Sequence, residues 1–351
     1  MCGIVAYVGY RDAYPIVVEG LKRLEYRGYD STGVNIGNNK NFKLFKTKGK
    51  VSDLELFVEK KDVKGTISIG HTRWATHGKP NQINSHPHLS GDGRLSIIHN
   101  GIIENYDSLK KVLIQKNHVF ISDTDTEVLI HLIEEVKMSE NVTLFEAVRL
   151  ALTQVVGAYA IVIMEKGNDR ELIVARKGSP LLVGVSDNEF FVGSDASPII
   201  KYTDEVIYLQ DGEIARLNCD EKIDIKTVDD KKVPPNIQKL EIKLENIEKD
   251  GFPHFMLKEI YEQPVAVANT INGKLGEDDV LDNIFGLGSS EVFSNIKRIQ
   301  FVACGTSLHA GKVGRFWFEQ IAKIPCYVDF ASEYRYREPL VEEGTLFVTI
   351  S

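Results

Sequence analysis

The sequence begins with "MCGIVAYVGY" (residues 1–10), which places a thiol directly before an apolar run typical of a β-strand. Removal of Met1 would leave Cys2 as the first residue, with an α-amine and a thiol on the same Cα. That amine has a reference pKa of about 7.7 to 8.0, which suits a general base near neutral pH. Cys2 is therefore a candidate nucleophile for acyl transfer from an amide or ester, although a cysteine at this position is by itself more often accidental.

Composition predicts a folded protein of about two domains. Of the 351 residues, 43% are hydrophobic and 26% are charged, and the formal net charge is -8. A net negative charge does not provide the overall basic surface that would bind nucleic acid or an anionic membrane surface. The apolar runs are shorter than the ~20 residues that span a bilayer, and no secretion signal precedes them. We expect a cytoplasmic protein with neither a nucleic-acid nor a membrane partner.

The region up to about residue 220 mixes short β-rich runs with amphipathic helices, which predicts stacked sheets covered by helices. Two helix starts carry a Thr-x-x-Glu capping box, Thr124 with Glu127 and Thr143 with Glu146. We assign residues 2–225 to this first domain.

Residues 226–252 are charged and Pro-paired, which predicts a linker. Beyond it, strand and helix patterns alternate over 253–351, as in a parallel α/β sheet. The sequence stops at Ser351, directly after an apolar strand, where open α/β sheets place ligand loops. We therefore expect the chain to be part of a longer protein, with the second domain incomplete.

Six blocks along the first domain resemble, in order and approximate spacing, the glutamine-hydrolysing domain of the class II amidotransferases. They are "CGIVAYVG", "RLEYRGYDSTG", "GHTRWATHG", "SHPH", "HNGIIEN" and "SDTDTE". The resemblance implies the αββα sandwich of the N-terminal nucleophile hydrolases, with Cys2 as the nucleophile.

The resemblance also assigns roles that each have a physical basis. Arg73 would bind the α-carboxylate of glutamine, since a planar guanidinium pairs with a carboxylate through two hydrogen bonds. Asp125 would accept the α-ammonium. Asn100 and Gly101 would donate hydrogen bonds to the oxyanion of the tetrahedral intermediate, although an isolated Asn-Gly is more often a hairpin turn.

A further block would close over bound glutamine and exclude water. Its members are Trp74, Thr76, His77 and Gly78. Histidines in these blocks also allow a metal site, namely His71, His77, His86, His88 and His99. Because the resemblance explains them without a metal, we expect no metal and no cofactor.

The second domain carries "FVACGTSLHAG" (residues 301–311), where Gly305, Thr306 and Ser307 follow a strand and begin a helix. Free N–H groups at a helix start favour a phosphate, although strand-Gly-helix turns are common. Together with "KEIYEQP" and "IPCYVDFASEYRYR", this stretch resembles the opening of the sugar-isomerase (SIS) domain of the glutamine:fructose-6-phosphate aminotransferases. Under that resemblance Thr306 and Ser307 contact a sugar phosphate, and Ser351 begins a second phosphate loop.

The function implied by both resemblances is hydrolysis of glutamine, with transfer of the ammonia to fructose 6-phosphate to form glucosamine 6-phosphate. The complete protein is expected to be a homodimer, and this chain alone a glutaminase. Two alternatives stay open at this stage. One is a class II amidotransferase with another acceptor, and the other is a non-catalytic sensor of sugar phosphates.

Overall fold

The computed structural model describes residues 2–38, 40–74, 81–240, 251–272, 274–275, 280, 285 and 288–350. The chain divides into two units, Met1–Glu248 and Lys249–Ser351. Each unit is built around its own sheets.

The apolar run after Cys2 forms β1 (Gly3–Val8), and all six of its residues are buried. This strand lies inside an eight-stranded antiparallel sheet, with β10 (Glu189–Gly193) on one side and β4 (Ile67–Arg73) on the other. The other strands of this sheet, in chain order, are β2 (Ser31–Gly37), β3 (Phe42–Lys48), β4 (Ile67–Arg73), β9 (Leu182–Ser186), β10 (Glu189–Gly193), β11 (Glu205–Tyr208) and β15 (Ile237–Lys239).

A second antiparallel sheet, of seven strands, is centred on β6 (Leu95–Ile103) and β7 (Gly157–Glu165), which pair along nine residues. The remaining strands are β5 (His88–Leu89), β8 (Glu171–Lys177), β12 (Glu213–Asn218), β13 (Asp224–Thr227) and β14 (Lys232–Val233).

Three hydrophobic clusters define the layers of the first unit. One joins residues of both sheets, such as Ile4 and Val162. A second fills the space between the first sheet and two helices, α1 (Ala13–Leu24) and α2 (Val51–Val58). A third joins the second sheet to α3 (Tyr106–Gln115), α4 (Asp125–Glu140) and α5 (Leu144–Leu152). The helix, sheet, sheet, helix order confirms the predicted αββα sandwich.

The capping boxes form only in part. Thr124 and Thr143 accept the backbone N–H of Glu127 and Glu146, each at 3.3 Å. The Glu127 carboxylate, however, accepts N–H groups of Ile121 and Ser122, and Glu146 pairs with Arg149. Each hydroxyl therefore caps its helix as predicted, while each carboxylate takes a different partner.

The predicted linker begins too early. Residues 224–239 still contribute strands to both sheets, because β13 and β14 extend the second sheet and β15 pairs with β11 at the edge of the first. The charged composition of this stretch suggested a linker, but edge strands also carry charged and polar side chains.

The second unit contains a three-stranded parallel sheet, in which the first strand along the chain lies between the other two, and this confirms the predicted α/β pattern. Its strands are β16 (Arg298–Ala303), β17 (Cys326–Phe330) and β18 (Thr345–Ile350). Its helices are α6 (Phe255–Ile271), α7 (Ser289–Ser294), α8 (Gly305–Trp317) and α9 (Ala331–Tyr336). In the described part of the chain, no helix combines the length and the apolarity needed to cross a membrane.

Removal of the Thr143 hydroxyl tests the cap of α5. We expect Thr143→Ala to lower the free energy of unfolding of the first unit by about 1 kcal/mol, because the N–H of Glu146 loses its acceptor. Thr143→Ser keeps the hydroxyl and should retain most of that stability. Urea unfolding followed by circular dichroism measures both variants, and equal midpoints for them would contradict the assignment.

Candidate active site

Residues from four separate stretches line one cavity of about 240 Å³ in the first unit. Cys2 lies just before β1, Arg73 is the last residue of β4, Asn100 and Gly101 lie in β6, and Asp125 begins α4. The pairing of β1 with β4 aligns Gly3 with Thr72, which brings Cys2 beside the end of β4. The structure therefore brings together the residues predicted as nucleophile, oxyanion donors and glutamine ligands.

The sulfur of Cys2 is partly buried and accepts the backbone N–H of Trp74 at 3.2 Å. Burial raises the pKa of the Cys2 thiol, although the Trp74 N–H and the Arg73 charge act in the opposite direction. Since the ordinary pKa of 9.0 is already above neutral, the thiol is protonated near pH 7. Attack by this sulfur requires a base that removes its proton.

The side-chain amide of Asn100 is fixed at both ends. Its Nδ2 donates to the carbonyl oxygen of Cys2 at 3.0 Å, and its Oδ1 lies 2.9 Å from Nε2 of His71. The same Nε2 lies 3.1 Å from the carbonyl oxygen of His99. Because both neighbours are acceptors, Nε2 of His71 carries the hydrogen and determines which way the amide points.

His71 is a functional candidate, although its sequence context predicts only a possible metal ligand. Burial lowers its pKa to about 3, so that the ring is neutral in the physiological range. The spacing of His71 and Arg73 in the sequence could have indicated this role. Residues two apart in a strand point to the same face, so His71 lies on the same face of β4 as Arg73.

Gly101 has a backbone conformation that other residues rarely adopt, with φ +132. A Cβ at this position would lie 2.1 Å from the carbonyl oxygen of Ala158 on the neighbouring strand β7. Close approach of the strand and positive φ both require glycine here.

Among the described residues that line the cavity, Arg73 is the one cation and Asp125 the one anion. Arg73 and Asp125 are 3% and 5% exposed, and the Asp125 carboxylate accepts the N–H of Ile103 at 2.9 Å. Burial lowers the pKa of the Arg73 guanidinium, and the negative charges of Asp125 and Asp30 oppose that effect. Two opposite charges in one small cavity are complementary to an amino-acid zwitterion.

Trp74 lies at the rim with 47% of its surface exposed, and its ring meets Tyr29 edge-on at 5.5 Å between centroids. Gly28 lies against the backbone here, since a Cβ on it would come within 2.9 Å of the carbonyl carbon of Arg73. The predicted members Thr76, His77 and Gly78 lie outside the described residues.

Buried histidines beneath the cavity are hydrogen-bonded to threonines. The Thr126 hydroxyl lies 2.9 Å from Nε2 of His86 and 3.0 Å from Nδ1 of His99, and Thr124 lies 3.2 Å from Nε2 of His88. Burial lowers the pKa of His86 and of His88 well below the ordinary value. The rings of His86 and His88 are therefore neutral near pH 7, and His86 and His99 line the cavity.

The predicted phosphate residues of the second unit lie at the carboxyl edge of its parallel sheet. Gly305, Thr306 and Ser307 form the first turn of α8, directly after β16, and Gly305 has φ +58. Pairing of Ala303 with Ile350 brings the end of β18 to the same edge. The predicted Ser351 is outside the described part of the chain.

Family models match both units. The glutamine amidotransferase domain model matches residues 71–201, and the SIS domain model matches residues 292–351. Two solved structures also match with a TM-score of 0.57. One is described as the allosteric regulatory enzyme of purine biosynthesis, at 30% identity over 65% of this chain and 49% of the other. The second is glutamine phosphoribosylpyrophosphate amidotransferase from B. subtilis, whose 22% identity over 93% of this chain and 65% of the other shows the fold alone.

Curated relatives match along the whole chain. The glutamine–fructose-6-phosphate aminotransferase (isomerizing) of Bacteroides thetaiotaomicron is 51% identical over 100% of this chain, which covers 58% of that protein. Proteins of the same name from Caldanaerobacter subterraneus and Chlorobaculum tepidum are 47% and 45% identical, also over 100% of this chain, with 57% and 58% of their own length covered. The chain therefore spans less than two thirds of the length of these relatives.

A methyl group at position 101 tests the close approach of β6 and β7. We expect Gly101→Ala to cost about 1–3 kcal/mol of unfolding free energy for the strained backbone, plus a similar amount for the clash with Ala158. Gly93→Ala is the matched control, because Gly93 has φ +69 and no described atom lies within 4 Å of its added Cβ. Urea unfolding compares the two, and equal losses would show that the strand contact does not matter.

Proposed function

Because the chain belongs to the glutamine–fructose-6-phosphate aminotransferase family, we propose that its first unit hydrolyses glutamine to glutamate and ammonia. One observation carries the proposal. Cys2, Asn100, Arg73 and Asp125 line the same small cavity. A nucleophile, an oxyanion donor and ligands for both charges of an amino acid are what this reaction requires.

The first step is attack of Cys2 on the side-chain amide of glutamine. The partly buried thiol holds its proton at neutral pH, so a base must accept it. We assign this role to the α-amine of Cys2, which is freed when Met1 is removed and which titrates near neutrality. The same amine then protonates the leaving ammonia, and water cleaves the thioester.

Negative charge that develops on the amide oxygen is stabilised by Asn100 and by the backbone N–H of Gly101. Such donors are effective when they are fixed before the reaction begins. His71 supplies that fixation, because its Nε2–H holds the Oδ1 end of the amide and leaves Nδ2 directed at the Cys2 side. His71 is therefore a positioning residue, and it acts through Asn100.

Glutamine is held by its two charged groups. Its α-carboxylate pairs with Arg73, its α-ammonium pairs with Asp125, and Trp74 covers the entrance from the rim. We propose the predicted glutamine-binding role for Thr76 and His77 as well. The low exposure of Arg73 and Asp125 strengthens both ion pairs, since water screens them less.

The ammonia acceptor is proposed from the relatives and from the second unit. Relatives that match the whole chain are named for fructose 6-phosphate, and an SIS domain model matches residues 292–351. We propose that Gly305, Thr306, Ser307 and Ser351 bind the sugar phosphate, that the whole protein forms glucosamine 6-phosphate, and that it works as a homodimer. Saturable binding of fructose 6-phosphate, but not of phosphoribosyl pyrophosphate, would separate this acceptor from those of other class II amidotransferases.

Replacement of the nucleophile is the direct test of glutamine hydrolysis. We expect Cys2→Ala to lower the rate of glutamate release by about 10³-fold or more, since no acyl-enzyme can form. Cys304→Ala, which removes an exposed thiol from the second unit, should keep the parent rate. Glutamate release in the Cys2 variant at the parent rate would refute the mechanism. A parent chain that releases none would instead favour a sensor.

A second test addresses His71. We expect His71→Phe, which keeps an aromatic ring beside His86 but loses Nε2–H, to lower kcat by about 10²-fold with a smaller change in KM. His71→Gln retains an N–H donor and should recover part of the loss. Because the pKa of His71 is about 3, neither variant should change the shape of the pH profile between pH 6 and 9. A rise in KM alone, or loss of a limb of the profile, would contradict the positioning role.

A further inference from the structure

Two histidines and a glutamate that the glutaminase mechanism does not use meet at one point of the first unit. His118 follows α3, while His131 and Glu134 lie three residues apart on one face of α4. Among the described residues, they form a group of potential ligand atoms that all lie within 4.8 Å of one another. His131 and Glu134 are buried, and His118 is nearly so.

The distances between these atoms are those of a tetrahedral metal site. Nδ1 of His118 lies 3.0 Å from Nδ1 of His131 and 3.5 Å from Oε2 of Glu134. Nδ1 of His131 lies 3.3 Å from the same oxygen. Ligands at about 2.0–2.1 Å from a tetrahedral zinc ion are separated from each other by about 3.4 Å.

Each histidine has a carboxylate at its other nitrogen. Nε2 of His118 lies 3.1 Å from Oε2 of Glu135, and Nε2 of His131 lies 3.8 Å from Oε1 of Glu127. The carboxylate of Glu135 favours hydrogen on Nε2 of His118 and leaves its Nδ1 with a free lone pair. For His131 the Glu134 carboxylate at Nδ1, at 3.3 Å, is nearer than the Glu127 carboxylate at Nε2, at 3.8 Å. The Nδ1 atoms of the two histidines lie 3.0 Å apart, so either a hydrogen on one of them or a cation must lie between them.

The loop at residues 90–92 fits closely around the glutamate. Oε2 of Glu134 accepts the N–H of Gly91 at 3.0 Å, and Oε1 accepts the N–H of Asp92 at 2.9 Å. A Cβ on Gly91 would lie 3.1 Å from Oε2 of Glu134 and 3.4 Å from Nδ1 of His131. The absence of a side chain at position 91 therefore preserves the space next to the ligand atoms of Glu134 and His131.

We propose that His118, His131 and Glu134 bind a divalent zinc-class ion, with a water molecule as the fourth ligand. Two imidazoles and one carboxylate suit zinc better than magnesium or calcium, which prefer oxygen ligands. Both histidines line a separate cavity of about 680 Å³, which gives room for the water and a path for entry. The ion would join α4, the segment after α3 and the loop at residues 90–92, so its binding free energy would stabilise the fold.

The competing occupant of this cluster is a proton. Although burial disfavours the charged ring, the hydrogen bonds to Glu127 and Glu134 raise the pKa of His131 to about 9. A protonated His131 could then donate to Glu134 or to His118 without any metal. The test must therefore measure bound zinc itself and its effect on stability.

The experiment uses the full chain with Cys2→Ala, so that the active-site thiol cannot act as a zinc ligand. We expect titration calorimetry and elemental analysis after dialysis against zinc chloride to give one Zn²⁺ per chain, with a rise in unfolding temperature. His118→Ala should abolish both effects. Glu135→Gln, which leaves the three ligands in place, should weaken zinc binding by about 10–100-fold. His309→Ala, which removes an exposed histidine of the second unit, is the matched control and should change neither effect.

The outcomes separate the two occupants. The proposal would be overturned if the parent protein bound no zinc, or if the His118 and Glu135 variants bound zinc as tightly as the parent does. The proton would then be the occupant. If His118→Ala fails to fold, the zinc affinities of Glu135→Gln and Gly91→Ala test the proposal instead. Gly91→Ala should weaken zinc binding because its methyl group crowds the ion without removing a ligand. Glutamine hydrolysis is not the readout, so failure of this proposal leaves the glutaminase assignment intact.

Discussion

The pairing of β1 with β4 is the contact on which the site depends. Gly3 faces Thr72 across the pair, and a Cβ on Gly3 would lie 2.6 Å from Oγ1 of Thr72, so the strands are held close. Cys2, one residue earlier, is thereby brought to the end of β4, where its sulfur meets the N–H of Trp74. The same strand supplies His71, which orients the oxyanion donor. One strand pairing thus aligns the nucleophile with the groups that would bind and activate its substrate.

Burial sets the chemistry of this cavity. It raises the pKa of the Cys2 thiol and lowers that of His71, so both groups are uncharged at neutral pH. The wall nevertheless retains the charges of Arg73 and Asp125, which act strongly because little water separates them from a bound ligand. A neutral nucleophile beside fixed charges explains why the proposed reaction needs both a local base and a zwitterionic substrate.

The layered fold and most of the candidate site could be predicted because they depend on local pattern and on contiguous motifs. Apolar runs such as residues 3–8 indicate buried strands, and the Thr143 hydroxyl indicates a helix start. The linker was placed too early because an edge strand such as β15 carries the polar composition of a loop. The glutamate partners of both capping boxes also could not be predicted, because a carboxylate within reach of several N–H groups pairs with the best placed of them.

The sequence by itself determined the order of the blocks, the candidate nucleophile and the alternation of strands and helices in the second unit. Only the tertiary structure decided that His71 holds Asn100, and that His118 meets His131 and Glu134. The physical reason is that both contacts join side chains from different elements. Their distances and their tautomers follow from how the strands and helices pack, and no spacing along the chain encodes either.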